Sequence, residues 1–509
     1  MRNTVNTLIH FLDGALLACP TLALLVNCGS GRKKAVLAAR WASFFVGFGF
    51  IIGLFLLGHL TFAEPPKTNL YITFNTLSLL LSTLILLVSF TVHRFSLRYM
   101  DGDKLYSRYF STLAAITLSA IVMVLADNLF LFWLSWSLSN VFLILLMVHK
   151  KEWTAAKNSG RLALSTLLLG SISLLAAVIL ITLSGDTTSI QALDEKEFIN
   201  SSVFTTAMTL ITLTGLTQSA IWPFHRWLIS SLNSPTPVSA LMHAGLVNGG
   251  GIIIVKFAPL FSASSGLLMI VFILGAVSVF LGTFWKLMQH DIKRMLACST
   301  LAQMGFMMMQ CGLGLFAAAV AHLCWHGLFK AYLFLSSGSI MTQKNNEPKI
   351  HAYKPAVLLI ASIGGFIGML GFAFMTNKPI LSLQATTFLL VFAFIAGTQL
   401  MLTLMDNRLS ITNMTIGLLM SSLAGLIYGG SIHLIELLLP NLTQFYLPKL
   451  SILHLMTLVL LVLPWLMFNL GLTKRIKESN FWCWFYMNLF NQSQPSPKTI
   501  TTLRSGYKY

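Results

Sequence analysis

Charged side chains are scarce in this sequence of 509 residues: Asp, Glu, Lys and Arg make up 9% of it, against 56% hydrophobic residues. A soluble domain carries about a quarter charged residues. With so few, the chain cannot cover a water-facing surface, which excludes an ordinary soluble fold. The composition predicts a protein with many membrane-spanning helices.

Acidic residues are fewer than basic ones, 15 Asp and Glu against 33 Lys and Arg, so the net charge is +18. Basic residues that bind nucleic acid gather on one face or along one helix. Here they form short clusters between apolar runs, which is typical of the cytoplasmic loops of a membrane protein. We therefore expect membrane lipids as partners and no nucleic acid.

The sequence also lacks the cysteine pairs and motifs of a metal site or an enzyme. None of the six cysteines belongs to a C-x-x-C pair, which argues against a zinc site, an iron–sulfur site or a disulfide framework. A nucleophile elbow, a P-loop and paired carboxylates at catalytic spacing are missing too. We expect no metal or cofactor in this chain and no enzymatic activity of its own.

Apolar runs of about twenty residues, long enough to cross a hydrocarbon core about 30 Å thick, recur along the chain. They predict an all-α, polytopic membrane helix bundle of about 15 transmembrane spans over residues 1–472, followed by a basic, aromatic tail over 473–509. The predicted spans are 8–28, 41–63, 70–92, 108–126, 128–149, 162–184, 203–231, 236–258, 267–288, 295–312, 315–340, 355–384, 386–406, 411–438 and 452–472.

The distribution of Lys and Arg orients these spans. When the amino terminus is placed outside, most basic residues fall in the inside loops and in the carboxyl-terminal tail. The outside positions are only Arg2, Lys67, Lys196, Lys378 and Lys449. Positively charged loops stay in the cytoplasm, so the pattern predicts an outside amino terminus and a cytoplasmic carboxyl terminus.

Two neighbouring spans contain residues that weaken helices. Pro223 lies in the middle of span 7, Pro235 and Pro237 precede span 8, and span 8 contains Gly249–Gly251. A helix broken within lipid must pair its freed backbone groups with protein or water, and glycines permit a close helix approach or a bulge. The pattern fits a hydrated path flanked by spans 7 and 8, and it equally fits a Pro-kinked, tightly packed pair without a path.

Ionisable residues form a stripe inside span 11. His322, His326 and Lys330 are spaced i, i+4, i+8 and share one helix face. A lysine at the bilayer centre costs at least about 2.5–3.5 kcal/mol on insertion scales, so three such groups predict a proton or ion relay. A polar seam between helices is the alternative. His243 and Asn248 in span 8 are further polar candidates. Weaker candidates, to which no role is assigned, are His10, Asp13, His433 and Glu436.

Four segments closely resemble the antiporter-like membrane subunits of respiratory complex I and Mrp antiporters. They are "RYMDGDKLYSRYF", "WPFHRWLISSLNSPTPVSALMHAG", "KLMQHDIKRMLACSTLAQMGF" and "HGLFKAYLFLSSGS", and the resemblance covers about residues 90–380 in the same order. It implies a helical bundle with two inverted five-helix repeats, each containing a discontinuous helix. Span 7 would be the first broken helix, and span 12, around "FMTNKPIL" with Pro379, the second.

The resemblance also assigns roles to individual residues. His243, His322, His326 and Lys330 match the family positions of the central polar chain. Lys378 lies near the lysine of the family's twelfth helix. The resemblance therefore implies an inner ion relay formed by the first four residues, with Lys378 lining the path.

Two positions depart from the family pattern. The family has a glutamate after the tryptophan of its fifth helix, where this chain has Ser137 after Trp136, and a lysine in its seventh helix, where this chain has Gln218. The Glu–Lys pair that gates protonation in the pumping subunits is therefore absent. Ser137, Gln218 and Asn248 are expected to line the path.

The segment "HAGLVNGGGIIIVKFAPLF" looks like the DabB branch of this family, the membrane subunits of energy-coupled inorganic carbon transporters. This resemblance implies conduction of H+ or Na+ in a bacterial cell inner membrane. It also implies a DabA-like zinc-binding partner subunit, which would hold the zinc and any carbonic-anhydrase-like chemistry. The alternatives are a proton-translocating antiporter-like subunit of a complex I or Mrp-type assembly and a non-conducting membrane scaffold.

Overall fold

Long apolar segments fold as helices because, in lipid, each backbone N–H and C=O must find its partner within the segment. The computed structural model describes residues 2–29, 34–60, 71–185, 187–193, 195–338, 353–380, 382–405, 410–445, 450–472 and 479–500. Over these ranges the chain is helical apart from turns and two isolated β-bridges, Ile72–Ala126 and Asn128–Ser189. The predicted all-α class is confirmed.

The chain forms two compact units. Unit 1 comprises Met1–Met308, His322–Met341 and Ser493–Tyr509, and unit 2 comprises Met309–Ala321 and Thr342–Gln492. The first thirteen helices belong to unit 1: α1 (Arg2–Gly29), α2 (Ala35–Leu60), α3 (Thr76–Tyr99), α4 (Tyr106–Leu125), α5 (Leu129–Met147), α6 (Thr154–Gly185), α7 (Glu195–Ile199), α8 (Phe204–Gln218), α9 (Arg226–Ile229), α10 (Thr236–Ala244), α11 (Gly249–Lys256), α12 (Ala258–Ser262) and α13 (Ser265–Met288). The helices that follow are α14 (Ile292–Gly312), α15 (Phe316–Leu335), α16 (Pro355–Thr376), α17 (Thr386–Met405), α18 (Ile411–Leu438), α19 (Ile452–Asn469) and α20 (Asn480–Ser493).

Among the residues that the structure describes, thirteen segments are long and apolar enough to cross a membrane. Thirteen of the predicted spans correspond to these segments. The other two predicted spans, 203–231 and 295–312, correspond to the short helix α8 with its continuation and to α14. The chain is therefore a multi-pass membrane protein, and its spans are interrupted where α8 and α10 end.

Unit 1 begins with a layer in which α1 packs on α2 and α4, and α2 packs on α3. Its apolar core contains the fully buried side chains of Leu16, Val46, Leu86 and Leu125. Removing such a side chain from apolar contact costs about 2–5 kcal/mol. These helices form a packed support beside the interrupted spans.

Unit 2 is built on three mutually packed helices, α16, α17 and α18. Val357 and Ala361 of α16 contact Met401 and Leu402 of α17 in its core. The carboxyl-terminal ends of α16 and α18 lie at one end of this unit. The predicted orientation assigns that end to the outside.

The segment 493–499, which we name the strap, is hydrogen-bonded to several helix ends within unit 1. Its bonds come from Asn158 Nδ2 to Lys498 O (2.8 Å), from Asn233 Nδ2 to Thr499 O (2.8 Å), from Ser496 N to Ser230 Oγ (3.1 Å) and from Gln289 Nε2 to Ser493 Oγ (2.8 Å). The strap thus connects the start of α6, the loop after α9 and the end of α13. The boundary predicted between residues 472 and 473 stays a prediction.

Replacing Asn233 with Ala should loosen the strap. Asn233 Nδ2 also donates to Ser159 Oγ at 3.2 Å, so the change removes two hydrogen bonds at once. We expect a loss of about 1–3 kcal/mol in unfolding free energy, because buried acceptors lose their donor. Thermal unfolding in detergent measures this loss. A thiol-reactive fluorophore follows unfolding, because heating exposes the buried Cys298 and Cys311.

Asn488→Ala is the matched control. Asn488 Nδ2 donates to Trp484 O within the exposed surface of α20. This variant should melt at the same temperature as the wild-type protein. Equal melting temperatures for Asn233→Ala and wild type would contradict a stabilising role for the strap.

Candidate functional site

Span 7 is interrupted between α8 and α9. Pro223 lies in the irregular stretch, where its missing N–H and fixed ring prevent the helix from continuing. Ala220 adopts a left-handed conformation (φ 53°), which ends α8. Trp227 Nε1 donates to Thr217 O at 3.1 Å and so pairs one of the carbonyl groups at the end of α8.

Span 8 is interrupted as well. Pro235 is the N-cap of α10 and Pro237 lies in its first turn, where proline suits a helix start. The break comes later, at Gly245 and the 3-10 turn Leu246–Asn248, before α11 begins. Pro235 and Pro237 therefore open the first half of the broken span.

Side chains at the end of α8 pair with backbone carbonyl groups freed by the break in span 8. Ser219 Oγ donates to Val247 O at 2.6 Å, and Gln218 Nε2 donates to Leu246 O at 3.3 Å. Both donor residues lie at the end of α8, and both acceptors lie in the 3-10 turn of span 8. The carbonyl groups freed by the break are thus paired with protein, as an apolar surrounding requires.

Glycines bring these backbones together at two points. A Cβ added to Gly250 would lie 2.3 Å from Gly215 O on α8, and one added to Gly327 would lie 2.8 Å from Ala244 O at the end of α10. Both distances are too short for a side chain. Of the two roles open to Gly249–Gly251, a close approach is present at Gly250, and Gly327 makes a similar approach from α15.

A neutral amide pair occupies the place where the resemblance implies an ion pair. Gln218 Nε2 donates to Asn140 Oδ1 at 3.0 Å, and both residues are buried. Ser137 does not join them, since its buried Oγ has no hydrogen-bond partner in the described chain. Asn140 was missed from sequence, although it lies one turn beyond Trp136 on the same helix.

A cavity of about 50 Å³ lies beside this pair, with α3, α4, α5, α10 and α11 around it. Most of its lining is apolar, and the polar side chains in it are Thr117, Trp136, Ser139, Gln218 and Asn248. Trp136 Nε1 and Asn248 Oδ1 are buried and make no hydrogen bond to the described protein. Buried polar atoms of this kind usually bind water, and the volume accommodates a few water molecules. The hydrated path and the tightly packed pair without a path both stay predictions.

The predicted stripe on α15 is buried along its length. The rings of His322 and His326 lie 6.0 Å apart between centroids and nearly parallel, at 15°. His326 Nε2 lies 3.3 Å from His243 O, a carbonyl that accepts when this nitrogen carries a proton. The stripe thus meets the end of α10, where His243 lies.

α14 links His243 to Lys330. His243 Nδ1 lies 3.1 Å from Thr300 Oγ1, which donates to Leu296 O at 3.0 Å. Lys330 Nζ donates to the same Leu296 O at 3.1 Å, and Lys330 is only 1% exposed. The structure thus brings all four predicted relay residues together. Thr300 and the Leu296 carbonyl were missed, because neither carries a signal in sequence.

Lys378 has its partner within unit 2. Its Nζ lies 2.7 Å from Glu436 Oε1 on α18. α16 ends at Thr376, Asn377 is left-handed (φ 51°), and Pro379 lies beyond the helix end in a non-helical segment. Glu436 was noted from sequence without a role, and its ion pair is visible only in the fold.

Comparison with known proteins agrees with this architecture. The family model described as "NADH:quinone oxidoreductase/Mrp antiporter, TM" matches residues 126–405. The chain belongs to this antiporter family. A second model, "NADH-Ubiquinone oxidoreductase (complex I), chain 5 N-terminus", matches residues 65–110. The resemblance drawn from the sequence motifs is confirmed.

Several members of the family are similar to this chain in sequence. The "Probable inorganic carbon transporter subunit DabB" of Bacillus subtilis is 32% identical over 446 residues, 84% of each chain. The "Probable inorganic carbon transporter subunit DabB1" of Halothiobacillus neapolitanus is 39% identical over 280 residues, 54% of this chain and 50% of that protein. Among solved structures, "Structure of Mrp complex from Dietzia sp. DQ12-45-1b" matches 94% of this chain and 52% of the other with a TM-score of 0.58 at 19% identity. The antiporter-like helical fold is thereby confirmed.

Gly327→Ala tests whether α15 must lie against the end of α10. The new methyl group would meet the Ala244 carbonyl at 2.8 Å and push the stripe away from His243. We expect a loss of about 1–3 kcal/mol, the usual cost of overpacking. Thermal unfolding in detergent measures it.

Gly266→Ala is the matched control on α13, since a Cβ there meets nothing within 4 Å. Alanine favours a helix over glycine by about 1 kcal/mol, so this variant should melt at the same or a higher temperature. Equal shifts in melting temperature for Gly327→Ala and Gly266→Ala would contradict a close approach of α15 to the end of α10.

Proposed function

We propose that this chain is the membrane subunit of an inorganic carbon (CO2/bicarbonate) transporter, in which H+ or Na+ moving through the spans drives a partner subunit. The observation that carries ion movement is the buried chain from His322 through His326, His243 and Thr300 to Lys330. The names of the DabB relatives supply the transported substrate. Within the antiporter family, an ion-translocating role fits this chain better than catalysis.

The relay consists of groups that can hand on a proton. Each histidine ring offers one nitrogen that donates and one that accepts, and Lys330 offers an ammonium group. The contacts of His326 with His243 O, and of Thr300 and Lys330 with Leu296 O, run through backbone carbonyl groups. A carbonyl group accepts a hydrogen bond and positions the side chains but does not hand on a proton, so water would carry the proton across these two links. Water in the cavity near Asn248 would extend the chain toward Gln218. This chain would only conduct the ion, leaving chemistry on carbon to its partner.

The partner would be a DabA-like zinc-binding subunit. Across the described part of the chain, no group of three or more His, Cys, Asp or Glu side chains is arranged to hold a metal ion. A zinc centre for hydrating CO2 would therefore have to come from another subunit. The complex would sit in a bacterial cell inner membrane, with this chain's amino terminus outside and its carboxyl terminus in the cytoplasm.

Two other functions each have an observation in their favour. The match to complex I and Mrp family models favours an antiporter-like subunit of such an assembly. The neutral Gln218–Asn140 pair favours a non-conducting scaffold, because it cannot gate protonation as an ion pair would. Neither alternative accounts for inorganic carbon, the substrate stated in the names of the DabB relatives.

Purification from the native host should yield a second, larger subunit with bound zinc. We expect zinc in proportion to that subunit and none on this chain when the two are separated, measured by metal analysis of each fraction. A tagged unrelated membrane protein from the same host is the control. Zinc in a one-to-one ratio on the isolated chain, or co-purification of respiratory subunits instead, would contradict the proposal.

Lys330→Met should abolish transport while leaving assembly intact. The substitution keeps the length of the side chain and removes the ammonium that donates to Leu296 O. The assay is growth at ambient CO2 of a carbonic-anhydrase-deficient host that carries both subunits. We expect growth to be lost with normal membrane levels and normal partner pull-down.

Variants at neighbouring positions sharpen the Lys330 test. Thr300→Val and His326→Ala should slow growth less, since water can bridge a single missing group. Gln218→Lys should impair growth, because a buried cation there would have no carboxylate at Ser137. Lys151→Met, on the exposed turn before α6, is the control and should grow as wild type. Wild-type growth of Lys330→Met at equal abundance would favour the scaffold.

A further inference from the structure

The cavity of about 50 Å³ beside Gln218 is lined mostly by aliphatic side chains. They include Leu81 and Val88 of α3, Ile116 of α4 and Ile252 of α11. Among the residues that the structure describes, no Asp, Glu, Lys, Arg or His side chain lines this cavity. A charged occupant would give up its hydration there without meeting an opposite charge, which costs far more than burying a neutral molecule. The lining therefore favours a neutral and largely apolar occupant.

Most of the polar side chains at the cavity already have partners within the protein. Thr117 Oγ1 and Ser139 Oγ donate to backbone carbonyl groups one turn earlier in their own helices, at 2.9 and 2.8 Å. Gln218 Nε2 donates to Asn140 Oδ1, and Asn248 Nδ2 donates to a carbonyl at the end of α10. These groups have little hydrogen-bonding capacity left for an occupant.

Two polar atoms at the cavity stay open, one donor and one acceptor. They are Trp136 Nε1 and Asn248 Oδ1, which have no hydrogen-bond partner in the described chain, and both residues are only 1% exposed. A buried water molecule needs two to four polar partners, so the two atoms can hold one water but not a row of them. Apolar cavities of this kind are known to bind small apolar gases instead.

Carbon dioxide has the shape and charge distribution that these two atoms call for. It is linear and uncharged, its oxygen atoms accept weakly from an N–H group, and its carbon is electron-poor and attracts an amide oxygen. On the same measure of volume one water-sized sphere needs about 10–15 Å³, so about 50 Å³ accommodates a molecule of three atoms. Bicarbonate carries a charge that the lining does not match.

We propose that this cavity is a binding site for CO2, in which Trp136 Nε1 donates to one oxygen of the molecule and Asn248 Oδ1 lies against its carbon. The binding is non-covalent, and water competes for the same two atoms. The neutral Gln218–Asn140 pair suits such a site, because an ion pair there would hold water beside the cavity. This inference rests on the proposed function and deepens it by naming CO2, rather than bicarbonate, as the form of inorganic carbon that this chain recognises.

Infrared spectroscopy of ¹³C-labelled CO2 tests the site directly. The full chain, with the subunits that co-purify, is equilibrated with the labelled gas in detergent at mildly acidic pH, where dissolved inorganic carbon is mostly CO2. We expect a narrow antisymmetric-stretch band, displaced from that of CO2 dissolved in water or detergent. The band should weaken as the pH is raised at constant total carbon, because CO2 is converted to bicarbonate.

Two variants and a matched control assign the band to the cavity. Ala120, on α4, lines the cavity, and Ala120→Leu adds three carbon atoms to its wall, so the displaced band should fall at least about tenfold. Trp136→Phe keeps an aromatic ring and removes the N–H, so the band should move in frequency and binding should weaken about fivefold, the contribution of one hydrogen bond. Ala396→Leu makes the same exchange at an exposed position of α17 and should keep the wild-type band. Melting temperatures in detergent show that each variant is folded.

Uptake of labelled inorganic carbon into membrane vesicles that contain both subunits is measured with the same variants. Ala120→Leu should slow uptake at limiting CO2, whereas Ala396→Leu should not. Wild-type uptake by an Ala120→Leu variant that has lost the band would overturn a role of the site in transport.

The outcomes distinguish this inference from the proposed function. A displaced band of equal strength in wild type and folded Ala120→Leu, or no such band in wild type, would overturn the CO2 site and leave the carbon-transporter function standing. A band that strengthens with bicarbonate as the pH rises would overturn the assignment to CO2. A wild-type complex that takes up no inorganic carbon would overturn the proposed function, and with it the recognition of CO2 as a transported species.

Discussion

The freed carbonyl groups of span 8 bond to side chains at the end of α8, and the arrangement of the site depends on these bonds. An unpaired backbone group in an apolar surrounding costs several kcal/mol, so an interrupted span persists only where another element supplies donors. Ser219 and Gln218 supply them to Val247 and Leu246. Because these acceptors lie just beyond α10, the same bonds hold His243 against α14 and α15.

This arrangement also explains why a neutral side chain suits position 218. Gln218 uses one amide nitrogen for two acceptors, Asn140 Oδ1 and Leu246 O. A lysine there would be a buried cation needing a carboxylate, which Ser137 does not provide. The first broken helix is thus held by neutral hydrogen bonds. The Lys–Glu ion pair of the described chain lies instead in unit 2, between Lys378 and Glu436.

Local sequence patterns predicted the helices better than they predicted which side chains pair with each other. Hydrophobic length located the spans, and i, i+4 spacing located the stripe on α15, because both depend on helix geometry alone. Thr300 and Asn140 escaped notice, since such residues are common in helices and become partners only through tertiary packing. Glu436 pairs with a lysine 58 residues away, a distance that no local pattern can bridge. The prolines before span 8 marked a helix start, whereas the break itself lies at Gly245, where no proline signals it.

The strap joins residues that are far apart in the chain: Asn233 bonds to Thr499, 266 residues later, and Asn158 to Lys498, 340 residues later. At a synthesis rate of about 5–20 residues per second, the shorter separation corresponds to roughly 15–50 s. Throughout that time the start of α6 and the loop after α9 are already made and lack their final partners. A chain that stops short of residue 498 would therefore lack the acceptors to which Asn158 and Asn233 donate in the strap.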